Sequence, residues 1–227
     1  MLCIPRVVLS AASLAIWAAA AGLAPSAASA QERISAAETL LFQTDHLKNV
    51  APPAALSYAF TKTGSAESGF DDTVRLRVRS VDGAKRVSVA FFTGERKVAF
   101  PEVTGAEGNP VLLCFLERDI HEMQRLTGGK SGYFRKAIRL ALARSANVAR
   151  TRVSYAGRES AAREVTIAPY VDDPLRDRIG KYASKTYVFT LSAAVPGGVY
   201  SVRSFVPSRD GTTEAPLLEE RLALLPR

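Results

Sequence analysis

The chain has 227 residues, 47% of them hydrophobic and 23% charged, which is enough apolar chain for a sizeable core and excludes a disordered polypeptide. Thirty Lys and Arg stand against 22 Asp and Glu, a formal net charge of +8. The acids are interspersed with the bases, so no block of like charge makes a nucleic-acid arm, and the surplus favours anionic partners or surfaces.

Residues 1–30 hold one charged residue, Arg6, then an apolar run over 7–23, Pro25 and the small-residue end Ala28-Ser29-Ala30. This order predicts a secretory signal cleaved after Ala30, since the run is short and Ala-rich for a membrane anchor. The expected mature chain, residues 31–227, is one periplasmic α+β domain with 29 bases and 22 acids, net +7 (29 − 22). Cys3 precedes the apolar run and cannot be the acylated cysteine of a lipoprotein. Cys114, alone in the mature chain and flanked by Leu112, Leu113, Phe115 and Leu116, reads as a buried thiol.

Residues 35–50 bring Leu40, Leu41, His46 and Leu47 to near-helical spacing and predict one amphipathic helix, stopped by Pro52-Pro53. From Leu56 the period becomes two, with Leu56, Tyr58 and Phe60 alternating with small or polar residues. Residues 73–80 then send Val74, Leu76 and Val78 to one face and Arg75, Arg77 and Arg79 to the other. Asp82-Gly83 turns the chain into a strand over 86–92 with Val87, Val89 and Phe91 inward, and a further short strand is expected over 96–100.

Asn109-Pro110 opens a helix whose apolar positions Leu112, Leu113, Leu116, Ile120, Met123 and Leu126 recur at three and four up to Gly128-Gly129. Ser131 is expected to cap a second helix over 133–145, with Phe134, Ile138, Ala141 and Leu142 as its apolar stripe. Strands resume over 151–155, turn at Ala156-Gly157 and continue through Val165 and Ile167. Asp172-Asp173-Pro174 starts a short helix to about residue 181, and three strands close the chain over 187–191, 199–206 and 217–224.

Short strands joined by tight turns demand antiparallel pairing. The expected fold class is therefore α+β: a curved antiparallel sheet, an open or half barrel, wrapped around two or three helices.

The motifs that carry chemistry elsewhere are incomplete. Gly128-Gly129-Lys130-Ser131 lacks the earlier glycine of a phosphate loop and follows a helix rather than a strand, so it is a helix stop. His121-Glu122-Met123-Gln124-Arg125 has Arg125 where a zinc protease needs its second histidine. Glu117 and His121 share a helix face and offer a carboxylate-imidazole pair to an envelope hydrolase, the alternative reading of function. The plainer expectation is a surface ladder in which Glu117, Arg118, Asp119, His121, Glu122 and Arg125 pair with one another. Asp71-Asp72 could hold calcium with other oxygens, whereas Asp172-Asp173 reads as a helix-start cap. The row Arg75, Arg77, Arg79 needs acids such as Glu95, Glu102 or Glu164, or an anionic ligand, to offset its repulsion.

At Gly69-Phe70-Asp71-Asp72, Gly94-Glu95-Arg96, Gly108-Asn109-Pro110, Phe115-Leu116-Glu117-Arg118-Asp119, Arg125-Leu126-Thr127-Gly128-Gly129 and Val195-Pro196-Gly197-Gly198-Val199-Tyr200 the chain resembles exported proteobacterial proteins of unknown function. Its layout is also similar to the open half-barrels of periplasmic lipoprotein carriers, which hold acyl chains in an apolar concavity. The resulting expectation is a non-enzymatic periplasmic binding or carrier protein for an apolar, anionic, lipid-like ligand, with an envelope scaffold subunit as a further alternative. Tyr58, Phe60, Val87, Val89, Phe91, Tyr187 and Phe189 are its candidate lining and Arg75, Arg77 and Arg79 its anion contacts. No catalytic residue, metal or cofactor is assigned. An envelope protein partner and peripheral membrane contact are compatible with this reading, and a nucleic-acid partner is not expected, because aromatics do not interleave with the bases.

Overall fold

The computed structural model describes residues 34–208 and 215–226. The secretory signal expected over residues 1–30 and its cleavage point after Ala30 lie outside the described residues.

A short helix, α1 (Ala36–Glu38), is opened by a reciprocal cap between Ser35 and Glu38 and runs on as π-helix over Thr39–Gln43. Three strands follow as a meander: β1 (Ala54–Thr63), β2 (Phe70–Val81) and β3 (Ala84–Phe91). Two-residue strands β4 (Val98–Ala99) and β5 (Val103–Thr104) both pair with β3. Helices α2 (Val111–Thr127) and α3 (Ser131–Arg144) come next. A second meander takes β6 (Asn147–Tyr155), β7 (Arg158–Ile167), β8 (Thr186–Leu191), β9 (Val199–Val206) and β10 (Leu218–Leu224), with a one-turn helix α4 (Arg176–Ile179) between β7 and β8.

All pairings are antiparallel, in the order β4-β3-β2-β1-β10-β9-β8-β7-β6 with β5 also on β3. Pairing of β1 with β10, in the register Tyr58 opposite Leu224, joins the two meanders into one curved, unclosed sheet. The expected α+β class is what the structure has. The α2–α3 hairpin is the connection between the meanders, which lets it lie across the concave face: α2 packs on β3 and β9, α3 on β7, and α1 on α3 and β6.

Alternation decides which side chains face the helices. Along β2, Val74, Leu76 and Val78 are buried and Arg75, Arg77 and Arg79 are exposed, as their spacing predicts. Leu56, Tyr58 and Phe60 of β1 and Val87, Val89 and Phe91 of β3 share that inner face. Phe92 breaks the alternation. Its backbone lies in the left-handed region at φ 67°, so consecutive rings at 91 and 92 both turn inward, and Phe92 meets the Phe60, Phe70 and Phe91 rings at 4.6, 5.5 and 4.7 Å.

Several local expectations are corrected. The helix predicted over 35–50 ends at Gln43; residues 45–50 form turns that bury His46, Leu47 and Val50 against the core. Leu113, expected in the apolar stripe of α2, is 54% exposed, because at one residue from Leu112 it points away from the sheet. Ser131 is the first residue of α3 rather than its cap, Lys130 takes that place, and no side chain caps the helix. Asn109 keeps its expected task, its Oδ1 accepting from the Val111 N–H at 3.1 Å, and Gly128 ends α2 in the left-handed region at φ 71°.

Candidate functional site

The concave face beneath α2 is polar at its centre. Asp119 lies on the inner side of α2 with no solvent exposure, and its Oδ1 accepts from the Lys185 Nζ at 2.5 Å and the Ser204 Oγ at 3.3 Å. Its Oδ2 accepts from the Tyr187 hydroxyl at 2.6 Å, and the Tyr170 hydroxyl lies 3.3 Å from that of Tyr187. Burial first, then the neighbouring Asp119 charge, pushes both phenols up.

One turn along, the Lys62 Nζ donates to Glu67 at 2.9 Å and to Glu122 at 2.7 Å, and Arg125 holds the same two carboxylates. Desolvation pushes Glu122 up, but the hydrogen bonds from Arg125 and Lys62 outweigh it and bring the carboxyl down to about 2. Arg118 approaches the fully buried Glu220 at 2.5 Å without in-line hydrogen-bond geometry, and its guanidinium lies over the Phe60 and Phe92 rings at 5.3 and 5.6 Å. The surface ladder expected along α2 is therefore corrected. Only Glu122 and Arg125 pair within the helix; Arg118, Asp119 and Glu122 point into the sheet, and Glu117 pairs with Arg135 of α3 at 2.6 Å.

A third cluster sits at the N-terminus of α2. The Asn109 Nδ2 donates to the Tyr58 hydroxyl at 2.9 Å and to the Gly197 carbonyl at 2.8 Å. The Asn109 N–H donates to the His46 Nδ1 at 3.2 Å, which places the imidazole proton on Nε2, 2.9 Å from the Leu40 carbonyl. Gly197 and Gly198, at φ 74° and 70°, let the turn before β9 come against Asn109 and His46; a Cβ at Gly198 would stand 2.9 Å from the His46 ring.

The candidate lining residues thus occupy a packed layer. Tyr58, Phe60, Phe91, Tyr187 and Phe189 have no solvent exposure, and the two tyrosine hydroxyls belong to the polar clusters just described. Arg75, Arg77 and Arg79 are on the opposite, convex face of the sheet. The structure puts the aromatic residues on the inner face, Tyr58, Phe60 and Phe91 on β1 and β3 and Tyr187 and Phe189 on β8 beyond β10 and β9, and the arginines on the other face, so one ligand in the concavity does not reach both sets. Of the acids named for the arginines, Glu102 pairs with Arg79 at 2.7 Å.

The remaining candidates are engaged locally. Asp72 accepts from the Thr93 hydroxyl at 2.9 Å, from the Thr73 N–H at 2.8 Å and from Arg96 at 3.3 Å, which occupies the carboxylate suggested for calcium. His121 is exposed, and Glu117 is turned to Arg135 rather than to it. Cys114 is buried, and burial pushes its thiol up to about 12.

An open concave volume lies instead at the far end of α2. A cleft of about 340 Å³ is bounded by the Thr127-Gly128-Gly129-Lys130 turn, by Tyr133 and Phe134 at the start of α3, and by Leu175, Arg178 and Ile179 of the α4 segment. Phe134 and Ile179 are buried in its floor, and Phe134 meets Tyr170 edge-on at 5.7 Å. Gly129 is required here, because a Cβ would stand 2.6 Å from the Phe134 ring. The two walls are tied across the cleft by Asp173, whose Oδ1 accepts from the Leu175 N–H at 2.7 Å and from the Tyr133 hydroxyl. Burial and then that bond push the Tyr133 phenol up to about 12. The helix-start cap expected of Asp172-Asp173 is thus corrected: Asp173 closes the turn ahead of α4, whose own cap residue, Leu175, makes no side-chain bond, and the same carboxylate fastens the cleft. Lys130 and Arg178 stand exposed on the rim, and neither forms an ion pair with another described residue.

Sequence reasoning passed over this site because Gly128-Gly129-Lys130-Ser131 has a sufficient explanation as a helix stop. The available signal was Lys130, three residues before an aromatic pair, Tyr133-Phe134, in the first turn of a helix.

No protein-family model matches the chain, and no curated protein matches it. Among solved structures it is similar to the Mycobacterium tuberculosis lipoprotein LppX, at 10% sequence identity and a TM-score of 0.33, over 76% of this chain and 85% of that one. No helix among the described residues is long and apolar enough to cross a membrane.

Proposed function

We propose that the protein is a non-enzymatic, exported binding or carrier protein for a lipid-like anion, with the ligand seated in the cleft between the α2–α3 turn and α4. The observation that supports this reading is the combination in one concave site of an apolar floor, Phe134 and Ile179, with two rim cations, Lys130 and Arg178, with which no described acid forms an ion pair. An apolar chain lying on Phe134, Ile179 and Leu175 leaves water, and its anionic head meets Lys130 and Arg178, where charge-assisted hydrogen bonds form. Tyr58, Phe60, Phe91, Tyr187 and Phe189 have no solvent exposure and are not among the residues that line this cleft.

The test is titration with a fatty acid carrying a fluorescent reporter, and its displacement by palmitate. Lys130→Ala and Arg178→Ala are each expected to weaken binding about tenfold, for a charge-assisted bond of about 1.5 kcal/mol, and added salt should weaken wild-type binding. A probe that does not bind the folded protein, or that binds the double variant as well as the wild type, sinks the reading.

A further inference from the structure

The convex face of β2 carries a second basic feature that the cleft does not use. Register fixes what flanks it: Arg75 lies between Ser57 of β1 and Ala90 of β3, and Arg77 between Ala55 and Ser88. Neither arginine has an acid opposite it or an ion pair with a described residue. Arg79, the third of the row, meets Glu102 on one side and has Arg86 across from it on β3. Alanine and serine rise only an atom or two above the pleat. The guanidiniums of Arg75 and Arg77 therefore stand clear of their surroundings, about 7 Å apart along the strand.

We propose that this face docks on an anionic lipid surface, with Arg75 and Arg77 supplying the attraction. Like charges in a row repel, and a sheet of negative head groups relieves that repulsion without any individual group having to fit. The floor of small residues suits such a surface better than the alternatives. The residues that flank the two arginines are too short to enclose one head group, and none of them is an aromatic on which a nucleic-acid base could stack. Because the two faces of the sheet are separate, docking leaves the cleft's rim cations free, and the proposal does not depend on the ligand assigned there.

The experiment is co-sedimentation of the purified protein with vesicles rich in phosphatidylglycerol and with vesicles of pure phosphatidylcholine, at low and high salt. Binding is expected to the first and not the second, and to fall as salt rises. The double variant Arg75→Gln, Arg77→Gln should lose about thirtyfold in partition, from two charges near the surface at about 1 kcal/mol each. Arg75→Lys, Arg77→Lys should retain most of it, since a charged surface reads charge rather than guanidinium shape. Circular dichroism checks that both variants fold, and the salt series on the wild type decides the matter even if the Gln pair does not. Undiminished vesicle binding by the folded Gln variant, equal binding to both lipids, or insensitivity to salt overturns the proposal. A Lys variant as weak as the Gln variant also overturns it, in favour of a site shaped for one phosphate. Arginine-dependent binding to DNA with none to vesicles overturns it in favour of a nucleic acid. Fatty-acid binding by the Gln variant, measured in parallel, reports separately on the cleft.

Discussion

Replacing Asp119 by Asn should be among the most damaging single changes this fold can take. The substitution keeps the shape of the side chain and an acceptor for the Tyr187 hydroxyl, but it strands the Lys185 ammonium, which has no solvent exposure and contacts Asp119 at 2.5 Å. Breaking a buried pair on one side costs about 3–5 kcal/mol, against about 5–15 kcal/mol for the stability of a typical domain. With a urea slope of about 2–3 kcal/mol per molar for a domain of this size, the unfolding midpoint should fall by about 1–2 M. Far-UV circular dichroism is the appropriate probe, because the single tryptophan, Trp17, lies outside the described residues. Adding Lys185→Met removes the stranded charge and should recover most of the loss, bringing the double variant to within about 1–2 kcal/mol of the wild type. An Asp119→Asn cost below about 1 kcal/mol, or a double variant whose cost is the sum of the two singles, would refute the view that this pair is dry and mutually dependent.

Two further changes follow from local geometry. Burial lowers the His46 pKa below its ordinary 6.5, so at acid pH the unfolded chain binds the extra proton more readily; stability is present above about 6.5 and is lost as pH falls below it. Thermal melts across that range should show the wild type losing more stability than His46→Gln, and equal slopes would remove His46 as the cause. Gly129→Ala should displace the Phe134 ring, costing about 1–3 kcal/mol and weakening fatty-acid binding in the cleft, since the added Cβ falls 2.6 Å from that ring; unchanged stability and unchanged binding together would show that the turn yields freely.

What the sequence discloses here depends on how far apart the interacting residues lie. The two faces of β2 are legible because Val74, Arg75, Leu76, Arg77 and Val78 alternate within one strand, and the turn at Asp82-Gly83, with φ of 51° and 77°, declares itself in two residues. The expected end of α2 at Gly128 is equally local. By contrast, the heptad-like spacing of α2 shows which side is inward but not that Asp119 belongs to it. Position 119 is four residues from Phe115 and four from Met123, squarely in the apolar stripe, yet a carboxylate is tolerated there only because Lys185 and Tyr187 arrive from another part of the chain. The separation of the arginine row from Tyr58 and Phe60 was likewise undetermined until the register set Tyr58 opposite Val74, on the buried face. The helix expected over 35–50 fails for a similar reason: the Asn109 N–H and the Gly198 backbone claim His46 and hold it in a turn, and both lie far along the chain.

The pairing of the first long strand with the last has a consequence for when the molecule can acquire its structure. Tyr58 and Leu224 are 166 residues apart (224 − 58), and closing a loop of that length costs about 4.5 kcal/mol in chain entropy before any contact repays it. Strands β1–β5 and strands β6–β9 can each pair with their chain neighbours, but neither group is sealed along β1 or β9 until β10 has been synthesised and inserted between them. A ribosome that has delivered the chain only through β9 has therefore produced two unjoined half-sheets, each with a bare edge. Commitment to the native state waits for β10, and losing even a few residues within it should leave a chain that is slow to fold and prone to pair with its neighbours rather than with itself.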